Sequence, residues 1–518
     1  MSSSGSSSTS KRAPRGAACL TCRRRKIKCD GNRPVCGPCL ASSPGTCEYS
    51  DGAPSQDNAL QQQIAEMENR LRELQQPGDR RPSTSIELRS PYAHPPPPAP
   101  DLSQNAQQEL LRAFVPHSTN FGFFLDGSRF QSKQPSPALQ STMLLMGSYL
   151  SSSRERSSLQ DGLLPQALND ISQGLTVIHP DTVLHTAQAE VLMSQYLFLH
   201  NRTLEAKYHI STAVSIVLGA GFHKIRASGD TRGASTLPPP RDFVEEIERI
   251  NALWTVLVLN HCWTSADGAP SNISYDIAES RVDAPWPIDL PTQSRLPDDL
   301  WTSRTIQNFL GNVPDNGVSL MAMHSKAAIL FEQASLLLSK YRPNMELRDA
   351  VRFQSTFNNV NQTIQRFISN LPPVNPHAPV MVHRKQLVIH TLARISAIQL
   401  HYIFGSQDAT SHSLILSNAE TIVALLRGGP NLAEFPFIDP IMAILWVATA
   451  KVFIDELGNA GSTSSSRRRS TRDLMAAVES VMSVMAIFAP HSMLMDAQLA
   501  QVRQNYAAVA SRSTPTPR

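Results

Sequence analysis

After residue 104 the chain repeats apolar positions with the period of an α-helix. In the segment FVEEIERINALWTVLVLNHCW, apolar residues and one histidine recur at steps of three and four, which places them on one helix face. These residues are Ile247, Ile250, Trp254, Leu257 and His261. The neighbouring Cys262 is expected to pack in the same core, because no partner motif for a ligand accompanies His261 or Cys262.

Similar patterns fill most of the chain between 104 and 511, and no run alternates between apolar and polar residues as a strand would. Further helices are predicted at 137–152, 181–200, 203–220, 319–341, 347–370, 383–404, 412–427, 438–456, 471–488 and 491–510. Pro-rich joints such as NLPPVNPHAP separate them. The pattern therefore predicts an all-α domain of stacked helical hairpins.

A shorter apolar repeat lies nearer the N-terminus and has a heptad spacing. Its members are Leu60, Ile64, Met67, Leu71 and Leu74. Two or three heptads form a weak coiled coil in isolation, so this helix either pairs two chains bound to a common partner or folds onto the large domain. The Pro-rich stretch that follows predicts an extended, disordered linker over 77–103.

Six of the seven cysteines lie within 29 residues, spaced C-x2-C-x6-C-x6-C-x2-C-x7-C. They are Cys19, Cys22, Cys29, Cys36, Cys39 and Cys47. Two C-x2-C pairs at this separation indicate a metal site. Zinc prefers four thiolates, and six thiolates satisfy two zinc ions if two of them bridge. The first cysteine of each half, Cys19 and Cys36, is the natural bridge.

Other uses of these cysteines are a redox pair, unpaired surface thiols, or one zinc site with two cysteines left over. Metal binding is expected to drive folding of this segment, because about fifty residues rich in Ser, Arg and Pro cannot bury enough apolar surface alone.

Charge is concentrated at the same end of the chain. Residues 1–50 hold nine basic and two acidic side chains, a net +7 against +4 for the whole chain, and the sequence RRRKIK lies between Cys22 and Cys29. A basic end of this kind suggests a polyanionic partner. The chain shows no signal peptide and no run of 18 apolar residues, so an intracellular protein without a membrane partner is expected.

The cysteine segment resembles the fungal zinc binuclear cluster domain of yeast galactose-regulator-type transcription factors. That family follows C-x2-C-R-x-[RK]-K-x-K-C with a proline two residues before the fourth cysteine. Matching residues here are Cys22, Arg23, Arg25, Lys26, Lys28, Cys29 and Pro34.

The resemblance implies two Zn²⁺ ions and binding to double-stranded DNA. By position, Arg25 and Lys26 would read bases from the first helix, with a CGG triplet as the usual target, and Arg23 and Lys28 would contact phosphates. Arginine suits the O6 and N7 atoms of guanine. The family commonly dimerises through a helix like the heptad segment, so a homodimer is expected.

Phrases in the large domain, among them FGFFLDGSRF and DAPWPID, resemble the middle homology regulatory domain of the same fungal factors. In that family the domain modulates activity, and a small-molecule effector is conceivable although the sequence names none. No catalytic motif of the common hydrolase, nucleotide-binding or metalloprotease types occurs. The chain is therefore not expected to be an enzyme, although a catalytic large domain is the rival hypothesis.

Together these features predict a nuclear transcription factor that regulates RNA polymerase II through contacts with the transcription machinery. The alternative is a zinc-stabilised nuclear cofactor that other factors recruit and that reads no bases itself. The predicted domains are a disordered tail (1–15), the zinc cluster (16–50), a linker with a short coiled coil (51–76), the Pro-rich linker (77–103), the helical regulatory domain (104–511) and a disordered tail (512–518).

Overall fold

A computed structural model gives the architecture of two compact units, Met1–Tyr92 and Ala93–Arg518. The residues described are 18–42, 47–49, 102–131, 134–151, 158–228, 237–269, 271–273, 277–289, 296–297, 299–375, 378–405, 407–428, 432–434, 437–459 and 470–513. The heptad residues Leu60 to Leu74, the Pro-rich linker up to residue 101 and the tails 1–15 and 514–518 lie outside them.

The N-terminal unit contains two short helices, α1 (Leu20–Arg24) and α2 (Gly37–Ser42). Its core is made of thiols rather than aliphatic side chains: Cys19, Cys22, Cys36 and Cys39 are buried, and Val35 and Tyr49 pack around them. So small an apolar core cannot stabilise a fold by itself.

The regular elements in the described part of the second unit are helices, and one isolated bridge between Ala227 and Thr302 is the sole β pairing there. The all-α prediction is confirmed. The helices are α3 (Gln104–Phe114), α4 (Pro137–Leu150), α5 (Gln160–Gln173), α6 (Pro180–Leu199), α7 (Thr203–Gly219), α8 (Phe243–Ala266), α9 (Thr305–Leu310), α10 (Leu320–Lys340), α11 (Leu347–Asn370), α12 (Val380–Tyr402), α13 (Ala409–Gly428), α14 (Ile441–Asn459), α15 (Thr471–Phe488) and α16 (Met493–Ser513).

Polar residues at the predicted joints begin several of these helices. Asp242 accepts a hydrogen bond from the Glu245 N–H (2.8 Å) at the start of α8, and Ser319 accepts one from the Ala322 N–H (3.0 Å) at the start of α10. Such side chains satisfy amide groups that have no partner within the first turn. These side chains thus mark where α8 and α10 start.

Helices that follow each other in sequence mostly pack together, as helical hairpins require. α6 packs on α7, α12 on α13 and α14 on α15, while α10 lies against both α8 and α12. The shared core includes the fully buried rings of Trp254 and Trp446. α8 is buried on nearly all sides, so its position fixes that of its neighbours.

The sequence pattern located most helices within a few residues, but it did not separate α3, α5 and α9 from the surrounding segments. His261 and Cys262 are buried in the core as expected. The Nδ1 atom of His261 lies 3.0 Å from Glu332 of α10, which explains how a buried imidazole is accommodated.

One segment of the described chain, Thr471–His491, is long and apolar enough to cross a membrane by length and composition. It contains α15, whose buried residues Leu474, Val478, Val481 and Met485 recur on one face, and the helix packs on α14 and α16. This one-sided burial is typical of a helix at the edge of a protein core.

Gly147 marks the closest approach between α3 and α4. A Cβ atom at this position would lie 2.7 Å from the carbonyl carbon of Leu110 and closer still to its oxygen. Backbone atoms cannot move away as a flexible side chain can, so only glycine lets the two helices meet here.

We expect Gly147→Ala to lower the free energy of unfolding of the helical unit by about 1–2 kcal/mol. Overpacking costs about 1–3 kcal/mol, while the better helix propensity of alanine offsets up to about 1 kcal/mol. Thermal unfolding followed by circular dichroism measures the change. Gly219→Ala is the matched control, because a Cβ there meets no atom within 4 Å. Equal melting temperatures for the two variants would contradict this account.

Candidate metal centre and nucleic-acid interface

Four buried cysteines bring their sulfur atoms together between α1 and α2. The Sγ atom of Cys19 lies 3.6 Å from those of Cys36 and Cys39, and the Sγ atom of Cys22 lies 3.6 and 3.7 Å from the same two atoms. None of the four side chains is more than 4% exposed.

These distances fit zinc. Two sulfur atoms that each lie about 2.3 Å from a shared zinc ion are about 3.8 Å apart. A disulfide would require about 2.05 Å, and none of the seven cysteines forms one. The spacing therefore matches thiolates around a metal rather than a redox pair.

The remaining two cysteines of the cluster gather around Cys36. The Sγ atom of Cys47 lies 3.7 Å from that of Cys36 and also accepts a hydrogen bond from the Cys36 N–H (3.4 Å). On the other side, the Cys29 sulfur, an Asp30 carboxylate oxygen and the Cys36 sulfur all lie within 4.8 Å of one another. Cys36 is thus adjacent to both halves of the cluster.

The electrostatics of the cluster also call for a cation. A hydrogen bond from the Cys22 N–H lowers the pKa of Cys19 to about 6, whereas burial raises the pKa of Cys22 to about 12 and raises that of Cys36 as well. Such closely packed sulfur atoms cannot all be thiolates at neutral pH unless positive charge neutralises them. Bound zinc supplies that charge.

Residues outside the cysteine pattern hold the two halves of the cluster together. Asp30 accepts hydrogen bonds from the Gly37 N–H to both carboxylate oxygens (3.1 and 3.0 Å), which caps the start of α2 directly after Cys36. A Cβ at position 37 would lie 2.6 Å from the same carboxylate, so glycine allows this approach.

The C-terminal end of the segment closes back onto its start. The Leu20 N–H donates to the Glu48 carbonyl (2.8 Å), and the Tyr49 hydroxyl donates to the Asn32 carbonyl (2.8 Å). The Arg33 guanidinium lies over the Tyr49 ring, 4.6 Å from its centroid. Sequence reasoning missed Asp30, Gly37 and Tyr49; their positions beside Cys29, Cys36 and Cys47 were the available signal.

The basic residues between Cys22 and Cys29 are all exposed. α1 ends at Arg24, Arg25 caps it, and Lys26 has a positive φ of 51°. Arg25 and Lys26 therefore follow the helix rather than lie within it, which differs from the expected placement on the helix itself. Arg23 to Lys28 project as a compact basic turn, in which Ile27 is also 45% exposed.

Comparison with known protein families finds a match in each of the two units. The description of the fungal Zn(2)-Cys(6) binuclear cluster domain matches residues 17–56, and that of the fungal specific transcription factor domain matches residues 114–399, more than half of the chain. The chain belongs to the fungal-specific transcription factor family.

Similar individual proteins carry related names over short matches. The zinc finger transcription factor YRR1 of Saccharomyces cerevisiae is 31% identical over 89 residues, which are 15% of this chain and 11% of YRR1. The citrinin biosynthesis transcriptional activators mrl3 of Monascus ruber and ctnR of Monascus purpureus are each 41% identical over 69 residues. Those residues are 12% of this chain and 13% and 12% of the two activators, so each match spans about an eighth of the relative or less.

Family membership confirms several of the expectations from sequence. The cysteine cluster is a binuclear cluster domain that holds two zinc ions, and the helical unit carries a fungal transcription factor domain. The protein is not an enzyme.

We expect Asp30→Ala to weaken zinc binding by about tenfold or more, the size of effect seen when groups that orient metal ligands are removed. The substitution deletes the cap that fixes the backbone beside Cys36. Competition with a chromophoric chelator measures the affinity. Glu48→Ala is the matched control, because the Glu48 side chain is exposed and its carbonyl is retained. Equal zinc affinity for the two variants would show that Asp30 does not position the ligands.

Proposed function

We propose that this protein is a sequence-specific regulator of RNA polymerase II transcription that reads CGG-type half-sites in the major groove. The observation that carries the proposal is the run of exposed basic residues from Arg23 to Lys28 directly beside the buried thiol cluster. A rigid metal core that presents a cationic turn provides both a fixed geometry and the charge that DNA binding needs.

Within this turn we assign Arg25 and Lys26 to base contacts, and Arg23 and Lys28 to phosphates. Support comes from chemistry and position. The Arg25 guanidinium can donate two hydrogen bonds to guanine, and Lys26 can donate to an adjacent acceptor in the groove. Phosphate contacts from the flanking residues would orient the turn without reading sequence.

We further propose that Cys19 and Cys36 bridge the two zinc ions. One ion would then be held by Cys19, Cys22, Cys29 and Cys36, and the other by Cys19, Cys36, Cys39 and Cys47. Support comes from Cys36, whose sulfur lies within 3.7 Å of the sulfurs of Cys19, Cys22 and Cys47. The contact of Cys19 with Cys39 adds to it. In this assignment Cys22 and Cys39, whose sulfurs lie 3.7 Å apart, are ligands of different ions.

The wider organisation is part of the same proposal. The domain boundaries are those given from the sequence, the protein acts in the nucleus, and it binds DNA as a homodimer. The heptad residues Leu60 to Leu74 would pair the subunits and so set the distance between half-sites.

One observation favours a second function: the helical unit is much larger than the zinc cluster. In that case the cluster would be structural, and other factors would recruit the protein as a cofactor without base readout. Substitutions in the basic turn separate the two functions.

We expect Cys36→Ala to abolish binding of both zinc ions, because this residue is assigned to both sites. Cys29→Ala should leave one zinc bound, since Cys29 is assigned to one site. Elemental analysis of purified full-length protein gives the ratio of zinc to chain. Cys262→Ala, which removes the buried cysteine of the helical unit, should retain two zinc ions. Loss of one ion from Cys36→Ala would contradict the bridging role.

We expect Arg25→Ala combined with Lys26→Ala to lower affinity for a CGG duplex and to remove its preference over scrambled DNA, with about 1–3 kcal/mol lost per base contact. Lys28→Ala should weaken binding to all duplexes equally and reduce the slope of log K against log salt by about 1. Fluorescence anisotropy at several salt concentrations measures both effects. Unchanged affinity in the double variant would favour the recruited-cofactor function.

We expect Met67→Asp to convert a dimeric complex on paired half-sites into a monomeric one, because a charge at the centre of the heptad seam cannot be desolvated. Sedimentation of the protein–DNA complex measures its stoichiometry. Glu68→Gln, next to the seam in sequence, is the control. A dimer that survives Met67→Asp would assign the pairing to another surface.

A further inference from the structure

A cavity of about 330 Å³ lies within the helical unit, far along the chain from the zinc cluster. Its walls come from α8, α10, α12, residue Gln195 of α6 and the segment 119–124. The volume falls at the lower end of the range of about 300–1,000 Å³ that small-molecule sites occupy. Most of the lining is apolar, with Phe123, Trp254, Leu259 and Met321 among the contributors.

The walls are held in place by contacts outside the cavity. The Trp254 indole N–H donates to the Pro285 carbonyl (2.7 Å), and its ring stacks on Trp286 with centroids 4.5 Å apart. Gln188 accepts from the Phe124 N–H (2.7 Å) and donates to the Gly122 carbonyl (3.2 Å). The cavity is therefore formed before any ligand binds.

Three residues that line this cavity each have a buried polar atom without a hydrogen-bond partner among the described residues: Asn120 (Nδ2), Gln195 (Oε1) and His324 (Nε2). His324 is 7% exposed and Gln195 is 2% exposed. Leaving such groups unpaired costs about 1–3 kcal/mol each. Three such groups around one apolar cavity indicate a binding site for a molecule whose polar atoms pair with them.

Lys385 determines which chemical group of a ligand these residues would bind. Its ammonium lies 3.2 Å from His324 Nδ1, and an ammonium can only donate. His324 Nδ1 must therefore accept this hydrogen bond, so the proton of the neutral ring is on Nε2. The Nε2–H group is then an unpaired donor as well. Burial and the charge of Lys385 lower the pKa of His324 well below its usual value, which keeps the ring neutral.

Two carboxylates also line the cavity, but each is engaged by a helix N-terminus. Asp289 accepts from the Leu320 and Met321 N–H groups of α10 (2.9 and 3.0 Å), and Asp439 accepts from the Ile441 N–H of α14 (3.1 Å). Among the described residues, Lys385 makes no ion pair within 4.0 Å. Burial lowers the pKa of Lys385, and the charges of Asp439 and Asp289 act in the opposite direction from beyond ion-pair distance. The cavity thus has a lysine without an ion pair beside a second donor.

We propose that this cavity binds an apolar small molecule that carries a carboxylate, with the carboxylate facing Lys385 and His324. The apolar body would lie against Trp254, Leu259 and Met321, and Asn120 and Gln195 would pair with further polar atoms of the ligand. Such a ligand would satisfy the unpaired groups and replace water from an apolar wall.

Calorimetric titration of the full-length, zinc-loaded protein with 2-naphthoate and its neutral isostere 2-naphthamide tests the proposal. We expect one saturable site with at least tenfold higher affinity for the carboxylate. Lys385→Met should reduce that preference to less than threefold. Lys451→Met, which removes an exposed lysine of α14 paired with Asp455, should leave it unchanged.

If Lys385→Met does not fold, Lys385→Gln takes its place, because glutamine keeps a donor for His324 without the positive charge. Absence of saturable binding would mean that the cavity holds water only and would overturn the proposal. Equal affinity for 2-naphthoate and 2-naphthamide, or a preference that survives loss of the Lys385 charge, would overturn the assignment of a carboxylate.

Discussion

Coordination of zinc by thiolates is the interaction on which the DNA-binding unit depends. Its core consists of cysteines with a few partly buried neighbours, and desolvated sulfur atoms this close together repel one another once ionised. Two bound Zn²⁺ ions neutralise the thiolates and turn this repulsion into attraction. The unit therefore folds as it binds metal. The basic turn from Arg23 to Lys28 is then fixed from both ends, by Cys22 and by Cys29.

This mode of stabilisation explains why cationic residues can be so dense in a short segment. An aliphatic core of this size could not hold six consecutive exposed residues, five of them cationic, in one conformation, because their mutual repulsion favours an extended chain. The carboxylate of Asp30 is half-buried and serves as a helix cap rather than as a partner for the basic turn. The positive charge therefore stays available for a polyanion.

The helical unit is stabilised differently, by burial of apolar side chains along α8, α10 and α12. Polar groups in its interior are in most places paired, as with His261 and Glu332. The cavity around Lys385 departs from that rule, and polar atoms left without partners inside a well-packed core are a feature of binding sites. A small-molecule site there would lie among the helices that contribute most of the core.

The sequence alone determined the features that depend on local spacing. The cysteine intervals specified the metal, the apolar periods specified the helices, and the resemblance in residues 19–47 indicated the DNA-binding class. Tertiary structure decided what depends on contacts between separate segments: the cap that Asp30 places on Gly37, and the cavity that joins Gln195, His324 and Lys385. No periodicity records such contacts, because they arise only when separate helices pack together.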